Sequence, residues 1–274
     1  MPELPEAETI VRDLRKRIPG HVVTRARIIR EDLLAKNLTA AQFARRLKGR
    51  RITDVTRRGK NVVIVFEGDV RLVINLGMTG RVITSDSARA PEMRHIGAEL
   101  YLDDGRRVLY DDARRFGNLD VRNATEWVAR DAELGTEPLS DAHTAEHLYA
   151  LTRTSITPIR NWLLDQRRLA GVGNIYAVEA LFRAGVRPTR RARSLTRREA
   201  SRLRDSLRDV LQESIDRRGT SISDYRDADG ESGDNESNLR AYGREGCPCL
   251  NCGTPIKRVV MSNRSAFYCP KCQK

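Results

Sequence analysis

The sequence predicts an α+β, multidomain chain: an N-terminal β-sandwich flanked by helices, then a helical domain, then a small cysteine-bearing module at the C-terminal end. Three observations predict it. After about residue 22 the chain runs through short β-type segments broken by turns, HVVTRARII, RRITDVT, KNVVIVF, VRLVINL, GRVIT, AELYL and RRVLY. Many short strands in succession favour a sandwich or barrel. From residue 140 the apolar spacing turns helical, and residues 240–274 hold all five cysteines.

The chain opens MPELPEAETIVRDL, and residues 6–17 read as an amphipathic helix with apolar positions at Ile10, Val11 and Leu14. Two readings of its start stand side by side. Proline suits a first helical turn, and acidic residues there complement the helix dipole. Equally, a small residue behind Met1 permits removal of that methionine. Pro2 then becomes a secondary amine, with a pKa near 8, beside the carboxylates of Glu3 and Glu6. KNLTAAQFARRLKG (36–49) interrupts the strands as a helix, and the breaks EGD (67–69) and DDG (103–105) are hairpin signals. RDAELGTEPLS (130–140) reads as a linker ending on a helix cap. Helices follow over Ser140–Leu151, Ile156–Asp165, Asn174–Ala184 and Thr196–Arg217, and then GTSISDYRDADGESGDNESN (219–238), polar and glycine-bearing, as a mobile loop. The boundaries that result are 1–129, a linker 130–139, a helical domain 140–239 and a terminal module 240–274.

Composition narrows the partners. Hydrophobic residues make up 39% of the 274 residues and the mean hydropathy is −0.54. No apolar run approaches the roughly 20 residues that span a bilayer, and the N-terminus lacks the order of a signal peptide, so a cytoplasmic protein is expected. Lys and Arg outnumber Asp and Glu by 50 to 37, a formal charge of +13. Such a surplus, mostly arginine, points to a polyanion, with nucleic acid the commonest. An acidic membrane surface would also attract it, but no strongly apolar amphipathic segment is present to insert. A generally arginine-rich surface is the plainer alternative to a nucleic-acid partner.

Within the tail, Cys249-x₂-Cys252 and Cys269-x₂-Cys272 stand sixteen residues apart. That is the four-cysteine zinc pattern: each knuckle turns two thiolates to one face and two knuckles complete a tetrahedron. About thirty residues cannot fold alone, so one structural Zn²⁺ supplies the stability. Cys247, one residue from Cys249, falls outside the pattern. The segment PIKRVVMSNRSAFY should form a β-hairpin with Arg264 near its tip, and with Lys257, Arg258, Lys271 and Lys274 it gives the module a nucleic-acid-binding character.

A glycine-rich turn, AGVGN, precedes the helix that begins at Asn174. Gly171 and Gly173 allow close backbone approach, and the helix N-terminus favours an anion. A helix, not a strand, leads into this turn, so neither nucleotide-binding context is met. A helix–turn–helix grip on DNA phosphate and a merely tight interhelical turn both fit.

Together PELPEAE, GVGNIY and the terminal C-x₂-C-x₁₆-C-x₂-CQK resemble the formamidopyrimidine-DNA glycosylases of the helix–two-turn–helix family, which also includes endonuclease VIII. The resemblance runs over essentially the whole chain. It implies a helical helix–two-turn–helix domain, a C-terminal β-hairpin zinc finger, and DNA bound in a basic cleft between two lobes. The activity it implies is that of a bifunctional DNA glycosylase and abasic-site lyase of base excision repair, a monomeric bacterial enzyme working at the nucleoid on double-stranded DNA that carries a damaged base.

By the same resemblance Pro2 is the nucleophile at sugar C1′, Glu3 the proton donor to the ring oxygen, Glu6 a supporting carboxylate and Lys60 a phosphate-binding, catalysis-assisting lysine. Because the target base must leave the stack, Met78, Arg114 and Phe116 fill the gap and read the orphaned base. Lys60, Asn174 and Arg264 anchor phosphate, joined by Arg160. Read without the family, Met78 and Phe116 are core residues and Lys60 a solvated strand lysine. The chain departs from the family at Ala113 (usually proline), Asn75 (often histidine) and Arg160 (usually lysine). It departs most in GESGDNESN, where members that cap 8-oxoguanine carry an aromatic-containing stretch. The Met78, Arg114, Phe116 set favours oxidised purines, 8-oxoguanine and formamidopyrimidines. The same chemistry on oxidised pyrimidines, and a non-catalytic damaged-DNA-binding protein, are the alternatives.

Overall fold

The computed structural model describes residues 2–86, 93–222 and 225–274. Met1, whose removal frees the Pro2 amine, lies outside the described residues, as do Ser223 and Asp224 of the 219–238 loop. The chain forms two compact units, Met1–Glu133 with Ile215–Glu236, and Leu134–Ser214 with Ser237–Lys274.

In the first unit, α1 (Leu4–Arg15) starts two residues earlier than the periodicity predicts, because Glu6 closes the helix start from inside. β1 (Val23–Ile28) and α2 (Ala40–Leu47) follow; Thr39 caps α2 by accepting from the Gln42 N–H. β2 (Ile52–Arg58), β3 (Asn61–Phe66), β4 (Val70–Asn75), β5 (Arg81–Thr84), β6 (Ile96–Leu102), β7 (Arg107–Asp111) and β8 (Asn118–Arg122) complete the strands. They form two antiparallel sheets in the orders β1-β6-β7-β5 and β2-β3-β4-β8. Alternate residues face one shared core: Val62, Ile64 and Phe66 of β3 and Leu72 and Ile74 of β4 from one sheet, Ala98, Leu100 and Leu102 of β6 from the other. α1 packs on β2 and β3 and buries Ala7, Ile10, Val11 and Leu14 in the same core, each larger side chain contributing roughly 1.5–3 kcal/mol.

Two elements escape the sequence reading. β8 follows directly on the DARRFG stretch, and α3 (Ala124–Ala132) begins inside the predicted sheet domain on a capping box of Asn123 and Glu126. The 219–238 segment differs too. Its composition predicts a mobile loop of the helical domain, but residues 215–236 group with the N-terminal unit, and Tyr225 and Ala228 are buried in its core. Polar composition hides these two apolar anchors.

The second unit holds α4 (Ala145–Thr152), α5 (Ile159–Leu164), α6 (Asn174–Ala184) and most of α7 (Arg197–Asp216). Its last strands, β9 (Lys257–Met261) and β10 (Arg264–Tyr268), pair antiparallel around Ser262 and Asn263, both with positive φ. Arg264 thus stands beside the hairpin tip as expected. No helix among the described residues is long and apolar enough to cross a membrane.

Candidate active site and nucleic-acid interface

Pro2 is buried at the entrance to α1, and Glu3, only 2% exposed, is the N-cap. The Glu3 N–H donates to Glu6 Oε2 at 2.8 Å. The other Glu6 oxygen, Oε1, accepts the Thr220 N–H at 2.8 Å. One carboxylate therefore ties the residue behind Pro2 to the 219–238 segment. Lys60, half-buried, sits in the turn between β2 and β3. Arg57 fixes that turn by donating to Gly59 O at 2.9 Å while its Nε donates to Glu8 Oε2 of α1 at 3.1 Å. Pro2, Glu3, Glu6 and Lys60 thus belong to one helix start and the hairpin packed beneath it.

Met78, Arg114 and Phe116 lie on two loops held together by Asp112, the first residue of DARRFG, to which the sequence reading gives no role. Asp112 is buried and accepts the Thr79 hydroxyl, the Tyr110 hydroxyl at 3.2 Å and the Gly117 N–H at 2.8 Å. Thr79 Oγ1 in turn accepts the Arg114 N–H at 3.1 Å. Burial, then the Asp112 charge, holds the Tyr110 hydroxyl protonated, as a donor must be. Glycine is required at the closest approach: a Cβ on Gly117 would lie 1.7 Å from the Tyr110 hydroxyl, and one on Gly77 2.4 Å from the Phe116 carbonyl carbon. The result presents Phe116 at 58% exposure with the Arg114 guanidinium 4.8 Å from its ring centroid, and Met78 half-buried beside Thr79. An exposed phenylalanine on a rigid loop is not a core residue. Asn75, in place of the family histidine, still supports the region: its Nδ2 donates to Asn61 Oδ1 at 3.0 Å and its Oδ1 accepts the Gly77 N–H at 3.1 Å.

In the second unit the glycine turn lies between α5 and α6. Gln166 staples it, accepting the Gly171 N–H at 2.8 Å and donating to Leu164 O and Val172 O. Gly171 has φ +93° and Gly173 is the N-cap of α6. Arg160 corrects the sequence expectation of a phosphate contact. Its side chain is fully buried, and its guanidinium donates to Asn174 Oδ1 at 3.0 and 2.6 Å, to Asn161 Oδ1 at 2.9 Å and to Met261 O at 3.1 Å. A guanidinium buried inside the protein with these partners orients the turn. Asn174 passes the link on, donating to Ser265 O at 2.9 Å. Arg160 and Asn174 thereby fix the hairpin whose exposed Arg264 faces solvent.

Cys249, Cys252, Cys269 and Cys272 converge with all four Sγ atoms within 4.8 Å of one another. The separations Cys249–Cys272, 4.0 Å, and Cys252–Cys269, 3.5 Å, bracket the edge of about 3.8 Å of a tetrahedron with Zn–S bonds of about 2.3 Å. The donor set fits one structural zinc. Cys247 is exposed and stands outside it.

Three family models match the chain in order: the formamidopyrimidine-DNA glycosylase N-terminal domain over residues 1–119, the H2TH domain of the same enzymes over 134–226, and the zinc finger found in FPG and IleRS over 246–274. Curated proteins named formamidopyrimidine-DNA glycosylase are 42% identical in Cereibacter sphaeroides and 43% in Heliobacterium modesticaldum, each alignment covering 100% of both chains. Among solved structures, the MutM (Fpg) protein of Thermus thermophilus superposes with a TM-score of 0.86 at 41% identity, covering 99% of this chain and 98% of that one. MutM in complex with carbocyclic 8-oxo-G containing DNA gives a TM-score of 0.90 at 29% identity over 100% of both chains. The chain belongs to the formamidopyrimidine-DNA glycosylase family.

Proposed function

We propose that this chain is a DNA glycosylase of base excision repair that removes oxidised purines, 8-oxoguanine and formamidopyrimidines, and then cuts the strand at the abasic site through covalent chemistry at Pro2. The observation that carries the reading is the helix start: Pro2 is followed by Glu3 as N-cap, whose backbone is held by the buried Glu6 carboxylate.

Once Met1 is removed, the Pro2 secondary amine attacks C1′ of the damaged nucleotide. The C1′–base bond breaks and the base leaves with its electron pair and a proton. Glu3 protonates the ring oxygen, the C1′–O4′ bond opens, and the amine and C1′ are left as an iminium ion. Loss of a proton from C2′ expels the 3′ phosphate, a second elimination expels the 5′ phosphate, and water releases the sugar and regenerates the amine. Glu6 keeps Glu3 oriented, and Lys60 binds phosphate beside the reacting sugar. Met78 and Phe116 fill the space of the extruded nucleotide, and Arg114 offers paired donors to the orphaned base. Asn174 and Arg264 anchor phosphate, and zinc holds the hairpin that carries Arg264. The enzyme works as a monomer on the bacterial nucleoid.

Borohydride trapping on a duplex with one 8-oxoguanine opposite cytosine tests this directly. The wild type should yield a protein–DNA adduct. A variant with an unremoved residue ahead of Pro2 should yield none. An adduct that survives that block places the nucleophile elsewhere. Adduct formation on thymine glycol alone keeps the chemistry and overturns the purine preference.

A further inference from the structure

The 217–235 segment is stitched closed at its base. The Asp234 N–H donates to Arg217 O at 2.9 Å and the Asn235 N–H to Gly219 O at 3.1 Å. Between them the Asn235 side-chain amide donates to Thr220 Oγ1 at 2.8 Å, with both residues at 4% exposure. The Thr220 N–H is the one that holds Glu6 Oε1, while Glu6 Oε2 holds the Glu3 N–H. Two glycines permit the approach. A Cβ on Gly233 would lie 2.2 Å from Gly219 O, and one on Gly219, at φ +90°, would lie 2.9 Å from the Tyr225 ring and 3.1 Å from Glu6 Cγ. A chain of hydrogen bonds thus runs from Asn235 through Thr220 and Glu6 to the residue next to Pro2. Asn235 itself belongs to GESGDNESN, the stretch in which this chain departs most from its family's pattern.

We infer that Asn235 and Thr220 are positioning residues for base excision: they fix the peptide N–H that holds Glu6, and through Glu6 they set the geometry from which Glu3 delivers its proton. The inference rests on the proposed roles of Pro2, Glu3 and Glu6. It separates two steps that share one nucleophile. Expelling a base and opening the glycosylated sugar need the proton donor in place. A preformed abasic sugar equilibrates with its open aldehyde by itself, so trapping there needs the Pro2 amine and bound DNA, with the aldehyde oxygen leaving as water.

The test compares wild type, Asn235→Ala, Thr220→Val and Thr220→Ser under single turnover, on an 8-oxoguanine duplex and on an abasic duplex, with excision followed across pH. The Ala and Val variants should excise at least tenfold more slowly at saturating protein, with a displaced pH profile, and still trap the abasic site within about twofold of wild type. Thr220→Ser, which keeps the hydroxyl, should excise like wild type. Undiminished excision by Asn235→Ala and Thr220→Val overturns the inference. So does an equal loss of excision and abasic trapping, which marks a structural role only. A wild type that excises no damaged base, yet is folded and binds duplex, overturns the reading on which the inference rests.

Discussion

His143 is 1% exposed, and neither ring nitrogen has a hydrogen-bond partner among the described residues. Burial, reinforced by the charges of His147, Arg204 and Arg208, pushes its pKa down to about 4. In the unfolded chain an imidazole titrates near 6.5. Between these values the unfolded state binds the extra proton, so stability rises with pH across the window. The contribution of neutral His143 is complete above about pH 6.5 and is lost as the pH falls toward 4, with up to about 3 kcal/mol at stake. Urea unfolding followed between pH 7 and 4 should register this slope, and His143→Phe should flatten it. Glu199 and Glu213, held down to about 2 by Arg190 and Arg183, begin to lose their stabilising effect as the pH falls through the ordinary carboxylate value near 4.5. They overlap only the lower end of this window, and the slope between about pH 6.5 and 5 belongs to His143. An unchanged slope in His143→Phe would assign the pH dependence to other groups.

At the scale of elements, the reading side chains depend on a buried acceptor that is not itself a contact residue. Asp112 gathers the Thr79 and Tyr110 hydroxyls and the Gly117 N–H. Asp112→Ala leaves buried donors unsatisfied and should destabilise the protein by about 2–4 kcal/mol. It should also blunt discrimination between bases opposite the lesion, because Arg114 and Phe116 lose their fixed loop. Thermal unfolding and excision opposite cytosine and adenine check both, and wild-type discrimination in the variant would detach Asp112 from the readout.

The sequence makes the contacting residues legible but not this support. Alternating β-branched residues announce β3 and β4, the EGD and DDG breaks announce their hairpins, and the cysteine spacing announces the zinc site. Asp112 opens DARRFG and Gln166 lies just ahead of the glycine turn, but neither stretch shows what these side chains hold, because their partners are backbone groups or residues elsewhere in the chain. Arg160 misleads for a related reason: charge alone predicts a phosphate contact, and only packing reveals that its donors turn inward. The capping box of α3 is readable, but adjacent linker-like residues mask it. Tyr225 and Ala228 sit in a stretch whose average polarity outweighs two apolar anchors.

On the scale of the whole molecule, the zinc module is fastened to its neighbours at several points within the second unit. Val178 and Phe182 of α6 share a core with Cys249, Ile256, Ala266 and Cys269. Glu179 accepts the N–H groups of Arg240, Ala241 and Tyr242 at 2.8–2.9 Å, and Gln273 donates to Val186 O at 2.8 Å. Through Met261 and Ser265 the hairpin also receives Arg160 and Asn174. Metal removal should therefore disturb more than the finger. It should slacken the α5–α6 turn as well, since so small a module lacks the apolar area to keep its shape without the ion. Trp162 of α5 is fully buried against the Arg168 guanidinium and reports on that turn. With Trp127→Phe as background, a zinc chelator should shift Trp162 emission to the red and release one zinc per chain. Duplex affinity should fall at least about tenfold, the equivalent of about 1.4 kcal/mol. Cys252→Ser should reproduce the chelated state, and Cys247→Ser should leave metal content and affinity unchanged. Chelation that strips the zinc while Trp162 emission and duplex binding stay constant would mean that packing on α6 alone holds the hairpin, and that the four cysteines serve only their own module.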